Sequence, residues 1–385
     1  MLAISKPDTF EKLQFLSRDS QYDIACACGS AKSEHRTRGK SGKWIYPVTL
    51  PNGGTALLFK TLISNHCTSD CRYCPLRQNT DTARCSLGSD ELVKAFLDYY
   101  NRGEVFGLFL SSGIIGSADA TMEKLIAPVQ ILRKKHLFKG YIHLKILPGS
   151  SPAAIEKAVS LSNAVSLNIE TPGKQFLDKL SSKKDFLQDI VEPMKLISRL
   201  GAQSRRRVKQ TTQFIVGAAG ESDRDIVNYT AALYERIGLS RVYFSAYQKH
   251  QSDDLKTQNI SPEQSFMREH RLYQVDFLFR KYGFKQSDII YDRSGLLSFE
   301  ADPKEIWAKN HPEFFPINVN TATRYKLLCV PGFGLKTVET ILNKRKLAKI
   351  HTIDDIDKAG SRLLHAAKYL DFGDNQKNKA FLFNF

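Results

Sequence analysis

From about Thr55 onward, two hydrophobic periods alternate along the chain. Short β-rich apolar runs, TALLFKTLI, VFGLFLSS, YIHLKILP, AVSLNIET, TTQFIVGA and RVYFSAYQ, predict six strands beginning at residues 55, 105, 141, 164, 211 and 241. Among and after them, apolar positions repeating at helical spacing predict helices over residues 90–100, 122–135, 152–161, 185–200, 223–237 and 263–281. Strands separated by helices must run parallel with crossover connections, which leaves a β/α barrel or a doubly wound sheet. Six such units fit a partial (β/α)6 barrel, so the fold class is α/β. Polar and glycine-containing segments (SNHC, SSGI, ETPG, GAAGES) directly follow strands, where both architectures place their ligands.

The flanking segments differ from this pattern. Residues 1–50 read as an N-terminal extension, helical over 9–18 and then rich in Gly, Ser and basic residues. Residues 51–299 carry the barrel, and residues 300–316 form a connector anchored by Trp307, Phe314 and Phe315. Residues 317–385 read as helix and turn only, a small all-α domain.

Charge adds a class of partner. The chain has 56 basic and 40 acidic residues, a formal +16, which favours a polyanion, with nucleic acid the first candidate. Residues 317–385 hold 12 basic and 6 acidic residues, about double the mean density of positive charge. With 42% hydrophobic residues, no apolar run of about 18 and no basic-then-apolar leader, membrane spanning and secretion are not expected and a cytoplasmic location is. The seven cysteines (26, 28, 67, 71, 74, 85 and 329) are odd in number and clustered, unlike a disulfide scaffold.

Cys67, Cys71 and Cys74 form a C-x3-C-x2-C array just after the first barrel strand. Three thiolates so close in one loop suit one face of an iron–sulfur cubane with its fourth iron open, whereas a closed zinc site needs a fourth ligand, from His66 or Cys85. Reduced structural thiols are the third reading. The array, with Tyr73 before its last cysteine, resembles the radical S-adenosylmethionine (SAM) superfamily. That resemblance implies a [4Fe–4S] cluster on Cys67, Cys71 and Cys74, SAM chelated at the open iron, an external electron donor and reductive cleavage to a 5′-deoxyadenosyl radical. It further implies cofactor contacts from Tyr73, from the turn Ser111, Ser112 and Gly113, from Asn168 and Glu170, and from Gly217 in FIVGAAGE. Glycine is missing from the first two positions of the Ser111 turn. Glu221 is one position off the usual spacing, so Gly217 is the better candidate.

Other residues carry weaker signals. Arg205, Arg206, Arg207 and Lys209 form a basic run that suits a SAM carboxylate or a phosphate as well as a solvated helix end. Cys26 and Cys28, two apart, would share one side of a strand and suit a second cluster or a hydrogen-donating thiol. Cys329 in LLCV reads as core. Tyr243, Tyr247 and Tyr291 are candidate catalytic radical-relay or proton donors, although aromatic residues on strands usually pack.

NVNTATRYKLLCVPGFGLKTVETILNKRK resembles a helix-hairpin-helix DNA-binding motif. Gly332 and Gly334 permit a sharp turn and close approach, the start of the second helix offers free N–H groups, and Lys336 and Thr337 add charge and a hydroxyl. Such contacts position a nucleic-acid backbone without reading sequence. Lysines 344, 346 and 349 and Arg345 extend the basic surface, and a plain inter-helix turn is the alternative. Cys329 stands where a basic residue is expected before the hairpin.

Barrel, connector and hairpin together resemble, over almost the whole chain, radical SAM proteins described as DNA modification or repair proteins and associated with a uracil-DNA glycosylase-type partner. The resemblance implies action on a DNA base or lesion. RNA as the substrate, and a non-enzymatic iron–sulfur redox-sensing nucleic-acid-binding protein, are the readings left open.

Overall fold

The computed structural model describes residues 7–20, 44–49, 54–249, 255, 260–358 and 360–373; Cys26 and Cys28 lie outside the described residues. The chain divides into two compact units, Met1–His270 and Arg271–Phe385.

In the first unit the elements are α1 (Thr9–Asp19), β1 (Ile45–Thr49), β2 (Thr55–Leu62), α2 (Ser89–Asn101), β3 (Gly107–Ser111), α3 (Ala118–Lys134), β4 (Tyr141–Lys145), α4 (Pro152–Leu161), β5 (Ala164–Ser166), α5 (Lys174–Leu177), α6 (Glu192–Gln203), β6 (Lys209–Val216), α7 (Asp223–Ala232) and β7 (Arg241–Ala246). A further helix, α8 (Pro262–Phe277), runs through the division between the units. The strands form one sheet in the order β1 to β7, with β2 to β7 mutually parallel. This is the open, curled sheet of a partial barrel.

The six parallel strands are those expected. A seventh, β1, pairs antiparallel with β2 in the segment read as extension. Pro47 lies inside this five-residue strand and breaks its pattern, which is tolerated because β1 is an edge.

Side chains alternate across the sheet. One face carries Phe59, Leu108, Leu110, Ile142, Leu144, Val165 and Phe214, all fully buried. Helices cover that face, as in α3, where Met122, Leu125, Val129 and Leu132 form a buried stripe at helical spacing. Side-chain caps fix where helices begin: Ser117 accepts from Ala120 N–H, Ser151 from Ala154 N–H, and Ser222 and Asp225 form a capping box. The opposite face, toward the barrel interior, is polar.

The second unit contains α9 (Pro303–Asn310), β8 (Ile317–Asn318), α10 (Arg324–Cys329), α11 (Leu335–Lys344), α12 (Ser361–Ala367) and β9 (Leu370–Asp371). The pairing of β8 with β9 corrects the all-helical expectation for this segment. Two-residue strands are too short to leave a periodic signal.

Candidate active site and cysteine loop

Residues 67–74 leave the C-terminal end of β2 as irregular backbone, so their shape must be imposed by neighbours. From below, Arg84 donates to the carbonyls of Leu76 (2.8 Å), Arg77 (2.9 Å) and Asn65. On one side Asp70 accepts from the Ser181 hydroxyl and from the Ser182 amide (2.8 Å) and hydroxyl (2.7 Å). Partial burial alone would raise the Asp70 carboxyl, but these donors bring it down to about 2. On the other side Thr68 N–H bonds the Ile114 carbonyl at 2.8 Å, and the turn after β3 presses against the loop. A Cβ on Gly113 would fall 2.2 Å from the His66 carbonyl oxygen and 3.0 Å from Cys67 Cβ, so only glycine allows this approach.

The loop delivers Cys67, Cys71 and Cys74 to one cavity, open to solvent and lined also by Tyr73, Ser111, Ser112, Gly113, Asn168, Glu170 and Lys184. All three are free thiols. Among the described residues no three His, Cys, Asp or Glu side chains converge as a single metal ion requires. Neither His66 nor Cys85 lines the cavity; His66 is exposed, and Cys85 sits behind the loop, its amide bonded to Asn65 Oδ1 at 2.7 Å. The donor set therefore fits thiolates on separate irons better than a closed zinc site.

Charge around the thiols is arranged to match. Lys184 lies 3.9 Å from Glu170, both side chains nearly buried. Burial would discharge Lys184, but Cys71 and Glu170 hold its ammonium above the ordinary lysine range, and it donates to the Tyr73 hydroxyl at 3.3 Å. Tyr73 is raised as well, its phenol kept neutral by burial and by Cys71 and Glu170. Read from sequence, SSKKD is a solvated charge run, so Lys184 gave no signal there. Neither did Asp19 of α1, which also lines the cavity.

Glu170 has φ 64, a left-handed conformation rare for a residue with a Cβ. Backbone bonds lock it there, from Glu170 N–H to the Gln213 carbonyl (3.0 Å) and from Ile215 N–H to the Glu170 carbonyl (2.8 Å). Asn168 Nδ2 is 3.4 Å from Glu170 Oε2. Both side chains line the cavity, and the left-handed Glu170 is a strained geometry of the kind found at ligand sites.

The remaining candidates separate. Ser112 turns its hydroxyl onto the Gly113 carbonyl at 2.7 Å. Gly217 has φ 90 but is not among the cavity-lining residues; Glu221 folds back to accept from the Gly217 and Ala219 (3.0 Å) amides, and buried Arg268 braces the turn through the Glu221 carbonyl (3.1 Å) and Asp223 (2.9 Å). Glu221 is thus committed to holding this turn. Arg205, Arg206, Arg207 and Lys209 lie before or at the start of β6, the end away from the cavity. Tyr247 lines the cavity, Tyr243 lies deeper in the barrel, and Tyr291 belongs to the second unit.

In the second unit, α10, the turn Val330 to Gly334 and α11 form a helical hairpin. Gly332 has φ 84, and a Cβ there would meet the Arg362 carbonyl oxygen at 2.5 Å, so this glycine serves packing against α12. Buried Lys304 donates to the Leu328 (3.1 Å) and Phe333 (2.5 Å) carbonyls, closing the turn from inside. Gly334 caps α11, Lys336 is exposed and Thr337 half-buried. Arg345 is spent internally on the Val319 (3.2 Å) and Ala322 (2.7 Å) carbonyls, and Lys344 on Asp355 (3.0 Å). Cys329 is fully buried, as expected of core.

Residues 61–233 match the radical SAM superfamily, so the chain contains a radical SAM superfamily domain. Enzymes of this superfamily use a [4Fe–4S] cluster and S-adenosylmethionine. Similar solved structures include the [FeFe]-hydrogenase maturase HydG from Carboxydothermus hydrogenoformans (16% identity over 58% of this chain and 52% of that one, TM-score 0.48). Others are methylornithine synthase, PylB (15%, 57% and 63%, TM-score 0.45), and SuiB of Streptococcus suis (11%, 74% and 57%, TM-score 0.44). The chain spans about half the length of the hydrogenase maturases it matches. No curated protein sequence matches it. Among the described residues no helix is long and apolar enough to cross a membrane.

Proposed function

We propose that the chain is a radical SAM enzyme that acts on DNA, modifying a base or repairing a lesion. The observation that carries the enzyme half of this reading is the delivery of Cys67, Cys71 and Cys74, with the buried Lys184 beside them, into the cavity at the C-terminal ends of the strands. When bound there, a [4Fe–4S] cluster with SAM supplies hydrogen abstraction by a 5′-deoxyadenosyl radical.

The chain's own residues bind, orient and exclude. Cys67, Cys71 and Cys74 would hold three irons, and Lys184 places positive charge beside the Cys71 sulfur, one of the features that set a cluster's potential. Asn168, Glu170 and Tyr73 present polar atoms suited to an amino-acid or ribose moiety. The Arg84 and Asp70 braces keep the loop in one geometry, and burial beneath it limits water.

The DNA half rests on the charge of +16 and on the second unit, where Lys336 and Thr337 flank the glycine turn at the start of α11. The barrel mouth cannot enter a base stack, so the target base must be flipped or already unpaired. An external reductant is required, and a uracil-DNA glycosylase-type partner belongs to the same reading. Equilibrium competition at fixed salt tests it: single-stranded DNA should displace a labelled DNA probe more effectively than intact duplex or RNA of the same sequence. Preference for RNA would move the substrate class, and equal binding and turnover of intact duplex would contradict the unpaired-base requirement. Lys336→Ala should lower the slope of log affinity against log salt by about 1.

A further inference from the structure

The reductant that the proposed chemistry requires must reach the cysteine loop, and the cavity is the side that cofactor and substrate would fill. The other side of the loop is built by two segments remote in sequence, residues 67–84 and 174–184. They interlock: Arg72 N–H bonds the Leu180 carbonyl at 2.8 Å, Arg72 Nη1 donates to the Lys179 carbonyl at 3.0 Å, and Asp70 accepts from Ser181 and Ser182. Together the two segments hold seven basic and three acidic residues. Arg84 and Lys184 serve the underside of the loop and the cavity. Of the acids, Asp70 is held by its three donors and Asp178 by Lys174 at 3.0 Å.

Lys179 and Lys183 are exposed, and neither lines the cavity. Lys183 Nζ donates to the Thr68 carbonyl (2.7 Å) and to Gln78 Oε1 (2.8 Å), which anchors it on the residue next to Cys67. Lys179 Nζ donates to the Ala219 carbonyl at 2.9 Å. A carbonyl fixes an ammonium in place without cancelling its charge, and among the described residues neither lysine is paired with a carboxylate. Half-buried Arg72 and Arg77, also outside the cavity lining, add positive charge to the same segments. Fixed cations of this kind attract and orient a negatively charged partner. Position decides between polyanions: a partner held by Lys183 faces the cysteine loop and not the cavity mouth, where a base has to enter.

We infer that the outer side of the cysteine loop, marked by Lys179 and Lys183, docks an acidic one-electron carrier protein with an iron–sulfur or flavin centre. The inference rests on the enzyme half of the reading above and names the class of reductant and its place of entry. One electron passes: the carrier's centre is oxidised by one, the cluster on Cys67, Cys71 and Cys74 is reduced by one, and no bond forms or breaks.

The test uses the full, cluster-reconstituted chain and a plant-type [2Fe–2S] ferredoxin as the acidic probe. Equilibrium binding of oxidised ferredoxin needs no turnover, and stopped-flow reduction of the cluster compares reduced ferredoxin with dithionite, a small reductant that needs no docking. The wild type should bind ferredoxin, less tightly as salt rises. In the Lys179→Glu, Lys183→Glu double variant, affinity and ferredoxin-driven rate should each fall roughly tenfold, with iron content and the dithionite-driven rate unchanged. The Lys179→Arg, Lys183→Arg pair keeps the charge and should bind like the wild type. If charge reversal costs iron, Lys179→Gln with Lys183→Gln decides, with a loss of roughly threefold expected. Unchanged ferredoxin affinity in an iron-replete variant, or no ferredoxin binding by the wild type, would overturn the inference and leave the enzyme reading standing. Loss of affinity for single-stranded DNA with ferredoxin affinity intact would give the surface to nucleic acid instead. A cluster that dithionite reduces without any cleavage of SAM is the separate result that sinks the enzyme reading.

Discussion

At the scale of single residues, the cysteine loop depends on a few side chains that bear no metal. Arg84 satisfies several loop carbonyls at once, and losing it leaves partly buried acceptors unpaired at about 1 kcal/mol each. Arg84→Ala should therefore lower the iron content recovered per chain and depress the melting temperature, both measurable after anaerobic reconstitution. Full iron content would show that the loop holds its shape by other means. Lys184→Met should shift the cluster's reduction potential to more negative values in an electron paramagnetic resonance titration, because it removes the positive charge beside Cys71. His143 bears on stability. Its folded pKa of about 3 lies below the ordinary 6.5, so the unfolded chain takes the proton first as pH falls. The stability it contributes is complete above about pH 6.5 and is lost as pH drops toward 3. Lys60, Lys145 and Tyr141 face it. His143→Phe should flatten that acid limb in melts taken across the range, and an unchanged limb would place the titration elsewhere.

Elements follow the sequence where the hydrophobic period is long, and depart from it where geometry is set by one or two residues. The six parallel strands and helices such as α4 were legible because strand runs of Val, Ile, Leu and Phe and helical stripes repeat over several turns. β1 was not, because Pro47 interrupts it, and β8 and β9 were not, because two residues carry no period. AVSLNIET reads as a full strand, but regular pairing stops at Ser166 and returns as a single bridge at the left-handed Glu170, and nothing in a carboxylate side chain announces a positive φ. The candidate site shows the same division. The cysteine spacing is local and visible, whereas Lys184, Asp19 and Arg84 reach the loop from remote or neutral-looking segments. The two hairpin glycines, alike in sequence, now separate. Gly332→Ala should destabilise the second unit by about 1–3 kcal/mol, since its Cβ would strike the Arg362 carbonyl and its φ is 84. Gly334→Ala, with its nearest contact at 3.8 Å and an extended φ of −106, should cost about 1 kcal/mol or less. Equal melting shifts would contradict that distinction.

At the scale of the whole molecule, a radical SAM superfamily domain and a basic second unit occupy one chain. The class of cofactor was readable from three cysteines, because a cluster demands a fixed local spacing. The substrate was not, because a barrel interior is assembled from side chains on strands β2 to β7 that lie far apart in sequence. The most direct measurement is anaerobic. The full chain, reconstituted with iron and sulfide and reduced with dithionite in the presence of SAM, should release 5′-deoxyadenosine. Release should rise with single-stranded DNA and disappear in the combined Cys67→Ala, Cys71→Ala, Cys74→Ala variant. A fully reconstituted cluster that releases none, with or without DNA, would contradict the enzymatic reading and leave an iron–sulfur nucleic-acid-binding protein in its place.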